Sequence, residues 1–176
     1  MDAEEFEDFY SASFQRLVGQ LCAMTGNHAE AQDAVQEAFV RAWERRARIK
    51  ADGAPEAWVR TTAWRIAVSR WRRARAGGQL LGLVARPEAE AGPTPEPVAF
   101  RVALAGLPAD QRRALVLFYL CDRTVAQIAA ETGAPSGTVK ARLARGRAAL
   151  ASCLADDTVT EKPGMDKVVP DASPGR

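Results

Sequence analysis

Metal-binding and disulfide-forming residues are scarce in this chain of 176 residues, which contains one histidine and three cysteines. The cysteines, Cys22, Cys121 and Cys153, lie far apart, and none belongs to a C-x-x-C pair. A zinc site needs closely spaced Cys and His ligands, and a disulfide framework usually needs an even number of cysteines. We therefore expect reduced thiols and no metal or other cofactor.

Long hydrophobic runs are also missing, although hydrophobic residues make up 47% of the chain. A membrane-spanning helix needs about 20 consecutive apolar residues. The chain opens with acidic residues rather than with the basic and then apolar segments of an export signal. The sequence therefore predicts a cytoplasmic protein without membrane insertion.

Groups that would support catalysis are scarce too. The only histidine, His28, lies outside the basic region, where no carboxylate cluster recurs at metal-binding spacing. No glycine-rich loop suited to holding a phosphate is present. We expect that the protein is not an enzyme.

Charge is strongly segregated along the chain, although the formal net charge is only +2. Residues 1–44 contain nine acids and two arginines, which gives −7, whereas residues 45–86 contain eleven cations and two acids, which gives +9. This division indicates two surfaces with different partners, one of them polyanionic.

The periodicity of apolar residues predicts an all-α fold of two small helical domains. Helical patterns run through residues 5–76 and resume in 98–155, without strand-like alternation. The intervening residues 77–97 are rich in glycine and proline, which favours a flexible linker. Residues 156–176 mix Pro, Asp and Lys with small residues, and we expect a disordered tail.

The segment from Ala29 to Trp43 predicts an amphipathic helix with an unusual polar side. Its apolar side is formed by Ala34, Val35, Ala38, Phe39 and Ala42. The opposite side gathers polar residues around one apolar residue: Asp33, Gln36, Glu37, Val40 and Glu44. A small dry centre with a charged rim suits a docking surface, although single exposed apolar residues are also common on solvated faces.

The segment from Ala57 to Arg75 combines aromatic and basic residues without an acid. One face, with Val59, Ala63 and Ile66, is suited to the domain core. The remaining Arg and Trp residues are typical of single-strand binding, in which rings stack on bases and arginines neutralise phosphates. The alternative is a core helix whose tryptophans are buried and whose cations reach outward to solvent.

Residues 124–150 follow the helix-turn-helix plan. Thr124 and Gln127 predict a capping box for the first helix, and Gly133 predicts its end. In the second helix Val139, Leu143, Gly146 and Leu150 share one side. Its other residues suit contact with duplex DNA in the major groove. A solvated basic helix in a bundle is the alternative.

Three blocks together resemble bacterial RNA polymerase sigma factors of the extracytoplasmic-function (ECF) group. These blocks are residues 31–43, residues 57–60 with 66–73, and residues 107–150, and they cover most of residues 5–155. The resemblance implies that residues 5–76 form a region-two-like domain and that residues 98–155 form a region-four-like helix-turn-helix domain. It also implies core RNA polymerase, promoter DNA and an anti-sigma factor as partners.

The resemblance further implies roles for individual residues. Docking onto the clamp coiled coil of the polymerase β′ subunit would involve Asp33, Gln36, Glu37, Val40 and Glu44. Capture of the minus-ten promoter element as single-stranded DNA would involve Arg60, Trp64, Arg65, Ser69, Arg70, Arg72 and Arg73. Recognition of the minus-thirty-five element as duplex, beside the polymerase β flap, would involve Ser136, Thr138, Lys140, Ala141, Arg142 and Arg145.

Two observations leave alternatives open. Arg65 and Ser69 stand where members of the group commonly have Asn and Asp, which suggests a different base preference. A helix-turn-helix regulator that binds duplex DNA without polymerase would also explain the C-terminal half, but it would leave the acidic helix and the Arg/Trp helix unassigned.

Overall fold

A computed structural model describes residues 1–76 and 98–160, with side chains through residue 153 except at 98–101. These residues form eight α-helices and no strand. The helices are α1 (Ala3–Thr25), α2 (His28–Glu44), α3 (Arg46–Ala51), α4 (Pro55–Ala76), α5 (Val98–Ala105), α6 (Ala109–Tyr119), α7 (Val125–Thr132) and α8 (Ser136–Thr160). The all-α prediction is confirmed.

Local sequence signals determine where several helices begin and end. Asp2 and Glu5 form a capping box at α1, and Gly26 ends that helix in the left-handed region at φ 82°. Thr124 and Gln127 form the predicted capping box at α7 through bonds of 3.0 and 3.2 Å. Gly133 ends α7 at φ 69°, as predicted.

The first domain packs α1, α2 and α4 around one core. The predicted apolar side of α2 is buried throughout. Val59, Ala63 and Ile66 of α4 are buried against it, which confirms the face assigned to the core. Because these stripes face inward, the acidic side of α2 and the basic side of α4 are turned away from the core.

The second domain packs α5, α6 and α7 around α8. Val139, Leu143 and Gly146 of α8 are buried as predicted, against a core that includes Leu115 of α6. A Cβ added at Gly146 would lie 2.8 Å from Leu115 Cδ1, so only glycine allows this close approach of α8 to α6.

One domain boundary differs from the sequence prediction, and two predicted segments lie outside the described residues. α8 continues to Thr160, past the predicted end of the domain at residue 155. The beginning of the segment assigned to the disordered tail is therefore helical. The predicted linker, residues 77–97, and the rest of the tail, residues 161–176, lie outside the described residues.

The two domains contact each other. α1 packs against α5 and α6, and α4 packs against α7. The predicted division into two helical units therefore coexists with a shared interface, and this interface determines which charged side chains reach solvent.

Candidate polymerase and nucleic-acid interfaces

The acidic side of α2 forms the first candidate interface. Asp33, Gln36 and Glu44 are exposed, and Val40 exposes 60% of its surface in their midst. Asn27 fixes the start of the helix by accepting a hydrogen bond of 3.0 Å from the Glu30 backbone. The structure therefore places an apolar residue inside a polar rim, on a helix held firmly by its opposite side.

Two aromatic residues near this surface were missed by the sequence reasoning. Trp43 is 39% exposed, and its ring centre lies 5.1 Å from that of Phe6 and 4.0 Å from the Arg46 guanidinium carbon. Tyr10 is 38% exposed and packs on Phe39 at 4.9 Å. Trp43 follows Val40 by three residues, a helical neighbour spacing that could have indicated it; nothing in the α1 sequence singles out Tyr10.

Glu37, the fifth predicted docking residue, is half-buried and shared between two arginines. Arg70 Nη2 donates to Glu37 Oε2 at 2.7 Å, and Arg41 donates to the other carboxylate oxygen. Burial acts to raise the pKa of Glu37, but the bonds from Arg70 and Arg41 outweigh it and hold the pKa below its usual value. Arg70 also reaches Glu30 at 3.5 Å. A residue predicted to dock polymerase thus contacts a residue predicted to bind DNA.

A basic groove between α4 and the second domain forms the second candidate interface. Its volume is about 560 Å³. Five of the seven predicted minus-ten residues line it together: Trp64, Arg65, Ser69, Arg72 and Arg73. The opposite wall includes Arg113, whose guanidinium carbon lies 4.7 Å from the Trp64 ring centre. No sequence signal indicated Arg113, because its proximity depends on the packing of the domains.

The other two predicted minus-ten residues lie elsewhere. Arg70 turns toward α2, as described above. Arg60 is only 1% exposed and forms an ion pair with Glu131 of α7. In this arrangement Arg60 has no surface for DNA, so its predicted role requires the domains to separate.

The exposed side of α8 forms the third candidate interface. Ser136, Thr138, Lys140 and Arg145 are exposed, and Ala141 is half-buried. Arg142 is also half-buried, and its Nη2 donates to Asp110 of α6 at 2.6 Å. All six predicted residues share α8, and Asp110 is a partner that sequence reasoning missed.

Within residues 1–76 and 98–160 no group of three or more His, Cys, Asp or Glu side chains could hold a metal ion. No helix there is both long enough and apolar enough to cross a membrane.

Comparison with known proteins decides the family. Residues 9–77 match Sigma-70 region 2, and residues 98–150 match Sigma-70 region 4. The ECF RNA polymerase sigma factor SigM of Mycobacterium tuberculosis is 32% identical over 141 residues, covering 79% of this chain and 72% of SigM. The chain belongs to the ECF sigma factors. The first of the two matches accounts for the N-terminal half, which a helix-turn-helix regulator would leave unassigned.

Two further similarities agree with this family. The probable RNA polymerase sigma factor RfaY of Xanthomonas campestris is 30% identical over 138 residues; the match covers 72% of this chain but only 34% of RfaY. The sigma factor RpoE of Bartonella quintana, solved in complex with the anti-sigma factor NepR, superposes with a TM-score of 0.71 at 25% identity. That match covers 88% of this chain and 99% of RpoE. ECF sigma factors are transcription initiation factors that bind core RNA polymerase and promoter DNA.

Proposed function

We propose that this ECF sigma factor divides its work among the three interfaces described above. The acidic side of α2 docks core RNA polymerase at the β′ clamp coiled coil. The basic side of α4 captures the minus-ten element as a single strand, and α8 reads the minus-thirty-five element as duplex beside the β flap.

The observation that carries this proposal is the separation of charge on the surface. The exposed side of α2 presents Asp33 and Glu44 around Val40, whereas α4 presents Arg65, Arg72 and Arg73. An acidic surface would repel DNA phosphates, so it requires a different partner from the basic surfaces.

The chemistry of α4 suits an unpaired strand. Trp71 is 52% exposed, and Trp64 lies in the basic groove beside arginines that could neutralise phosphates. A base that stacks on an aromatic ring gains about 1–3 kcal/mol, which offsets part of the free energy lost when promoter base pairs open. The protein therefore supplies promoter selectivity and strand capture rather than bond chemistry, and it acts in the cytoplasm without catalytic activity of its own.

An anti-sigma factor is proposed as a further partner. The similar Bartonella sigma factor was solved with one, and the exposed surfaces of this chain offer it places to bind. To block initiation, such a partner would have to cover the acidic side of α2 or the basic sides of α4 and α8.

Run-off transcription tests the proposal. The purified protein is mixed with core RNA polymerase and with promoter fragments from its own genome. Specific transcripts that require both proteins are expected, and their start sites would define both promoter elements. Duplex binding without polymerase, combined with no initiation, would refute the proposed function.

A further inference from the structure

A buried ion pair joins the two domains. Arg60 of α4 donates through Nε and Nη2 to the two carboxylate oxygens of Glu131 on α7, both at 2.9 Å. Its Nη1 reaches Gln20 Oε1 of α1 at 3.3 Å. The side chains of Arg60 and Glu131 are 1% and 6% exposed. Such a bidentate, buried arrangement fixes the position of α7 on α4.

Two neighbouring arginines add contacts across the same boundary. Arg112 Nε donates to the Met24 carbonyl of α1 at 2.6 Å, while its Nη1 donates to the Ala105 carbonyl of its own domain at 3.0 Å. Arg113 lies over the ring of Trp64. The interface therefore includes several directional contacts in addition to apolar packing.

Arg60 keeps its charge in this buried position because Glu131 compensates for the loss of solvent. Burial acts to lower the pKa of Arg60, but the hydrogen bonds and charge of Glu131 outweigh it and raise the pKa above its usual value. Removing the Glu131 carboxylate would leave a buried cation with only Glu56 nearby, at 3.8 Å and partly exposed, which is much less favourable than removing both charges of the buried pair.

The closed arrangement is incompatible with simultaneous contact to both promoter elements, a step that rests on the proposed function. Elements centred near positions −10 and −35 are roughly 25 base pairs apart, or about 85 Å at about 3.4 Å per base pair. In the closed state α4 contacts α7, which contacts α8, and even α8, the longest described helix, spans only about 37 Å at about 1.5 Å per residue. DNA of this length is far shorter than its persistence length of about 500 Å, so sharp bending would be costly. The domains must separate before both elements are bound.

We propose that the Arg60–Glu131 ion pair is a latch that holds the free sigma factor closed. In the closed state Arg60 is withheld from DNA, and the exposed arginines of the α4 groove line a cleft whose opposite wall belongs to the second domain. Opening releases Arg60 and widens the cleft. Because only the open fraction can bind both elements, the latch lowers the apparent DNA affinity of the free chain by that fraction.

Glu131→Gln is the principal test, because it removes the charge of Glu131 while nearly preserving its shape. In X-ray scattering of the full chain without DNA, we expect the wild type to be compact and the variant to be expanded. The ratio of open to closed molecules should rise about tenfold or more, since the variant leaves the buried Arg60 with only the more exposed Glu56, at 3.8 Å, as a counter-charge. Affinity for a random-sequence single-stranded deoxyoligonucleotide, measured without polymerase, should rise as well.

Lys50→Gln provides a matched control. Lys50 pairs with Glu5 at 2.6 Å and joins α3 to α1 within the first domain. Its loss removes a long-range ion pair but leaves every described contact between the domains in place. We expect no change in compactness or in single-strand affinity.

Glu131→Asp is the second variant, used in particular if Glu131→Gln does not fold by circular dichroism. It keeps the charge but is one methylene shorter, so it cannot keep both 2.9 Å bonds to Arg60 without backbone movement and should also expand the chain, by less. The proposal is overturned if the wild type is already expanded, or if the folded latch variants remain as compact as the wild type. Run-off transcription is read separately: absence of transcripts from the wild type would refute the proposed function, whereas the scattering result decides the latch.

Discussion

Arg70 on α4 donates to Glu37 on α2 at 2.7 Å and thereby joins the helix proposed to capture DNA to the helix proposed to bind polymerase. A partner that engages Glu37 competes with Arg70 for the same carboxylate. Polymerase docking could in this way release Arg70 toward the promoter strand.

Neutralising Arg70 and Glu37, singly and together, tests this relationship. Glu37→Gln should weaken the hold on Arg70 and raise single-strand affinity of the free chain by a few-fold, while weakening polymerase binding. Arg70→Gln should lower single-strand affinity. A double-mutant cycle measures the coupling in both assays, and purely additive effects would show that the two residues act independently.

Asp33→Lys should weaken binding to core polymerase by about tenfold or more, because it places a cation in the acidic rim around Val40. Asp33 is exposed, so the fold should remain intact. Asp8→Lys, an equal charge change at an exposed position of α1, is the control. Native binding by Asp33→Lys in a fluorescence titration would refute the docking assignment.

Arg145→Ala should cost roughly 1–3 kcal/mol of binding to the minus-thirty-five element if Arg145 makes a bidentate base contact. Arg48→Ala, which removes an exposed arginine of α3 in the first domain, is the control, because α3 is not part of the surface assigned to the upstream element. Arg142→Ala should cost a similar amount, but Arg142 must first leave Asp110, so Asp110→Asn should strengthen binding. Footprinting of the upstream element measures all three, and an unchanged footprint for Arg145→Ala would contradict the assignment.

Gly146→Ala should destabilise the protein despite the better helix propensity of alanine. The added methyl group would lie 2.8 Å from the buried Leu115 side chain, and overpacking typically costs about 1–3 kcal/mol, against a propensity gain of about 1 kcal/mol. Gly137→Ala, in the first turn of the same helix and with no atom within 4 Å of the new methyl group, should stabilise. Urea unfolding measures both, and equal signs would contradict this packing argument.

Cys121 should react slowly with iodoacetamide at about pH 8 in the native protein. Burial raises the pKa of its thiol to about 11, although the charge of Arg60 acts in the opposite direction. The unfolded thiol ionises near pH 8.5, so the stability contributed by this group is full below that pH and is lost as the pH rises toward 11. The exposed Cys153 is an internal comparison, and mass spectrometry of each peptide follows both. Equal alkylation rates would show that Cys121 is not protected.

The features that the sequence predicted well depend on neighbours along the chain. The capping box of Thr124 and Gln127 and the buried stripe of Val139 and Leu143 follow from residue types at fixed helical spacing. The exposed position of Val40 follows from the same periodicity. These features require no knowledge of distant contacts.

The features that escaped the sequence depend on contacts between distant residues. Arg60 looked like its neighbouring arginines on α4, yet its environment is set by Glu131, 71 residues later. The same holds for Arg70, whose partner Glu37 lies 33 residues away. Helical periodicity indicates which side a residue occupies, but it does not indicate which other helix will cover that side.

Trp64 gives the sigma factor an intrinsic optical probe. Its ring touches Arg113 across the domain boundary, whereas Trp43 packs on Phe6 within the first domain and Trp71 is half exposed. Separation of the domains would remove the guanidinium from the indole and admit water, which alters indole emission. Tryptophan fluorescence of the unlabelled protein can therefore report in real time when polymerase or DNA draws the two halves apart.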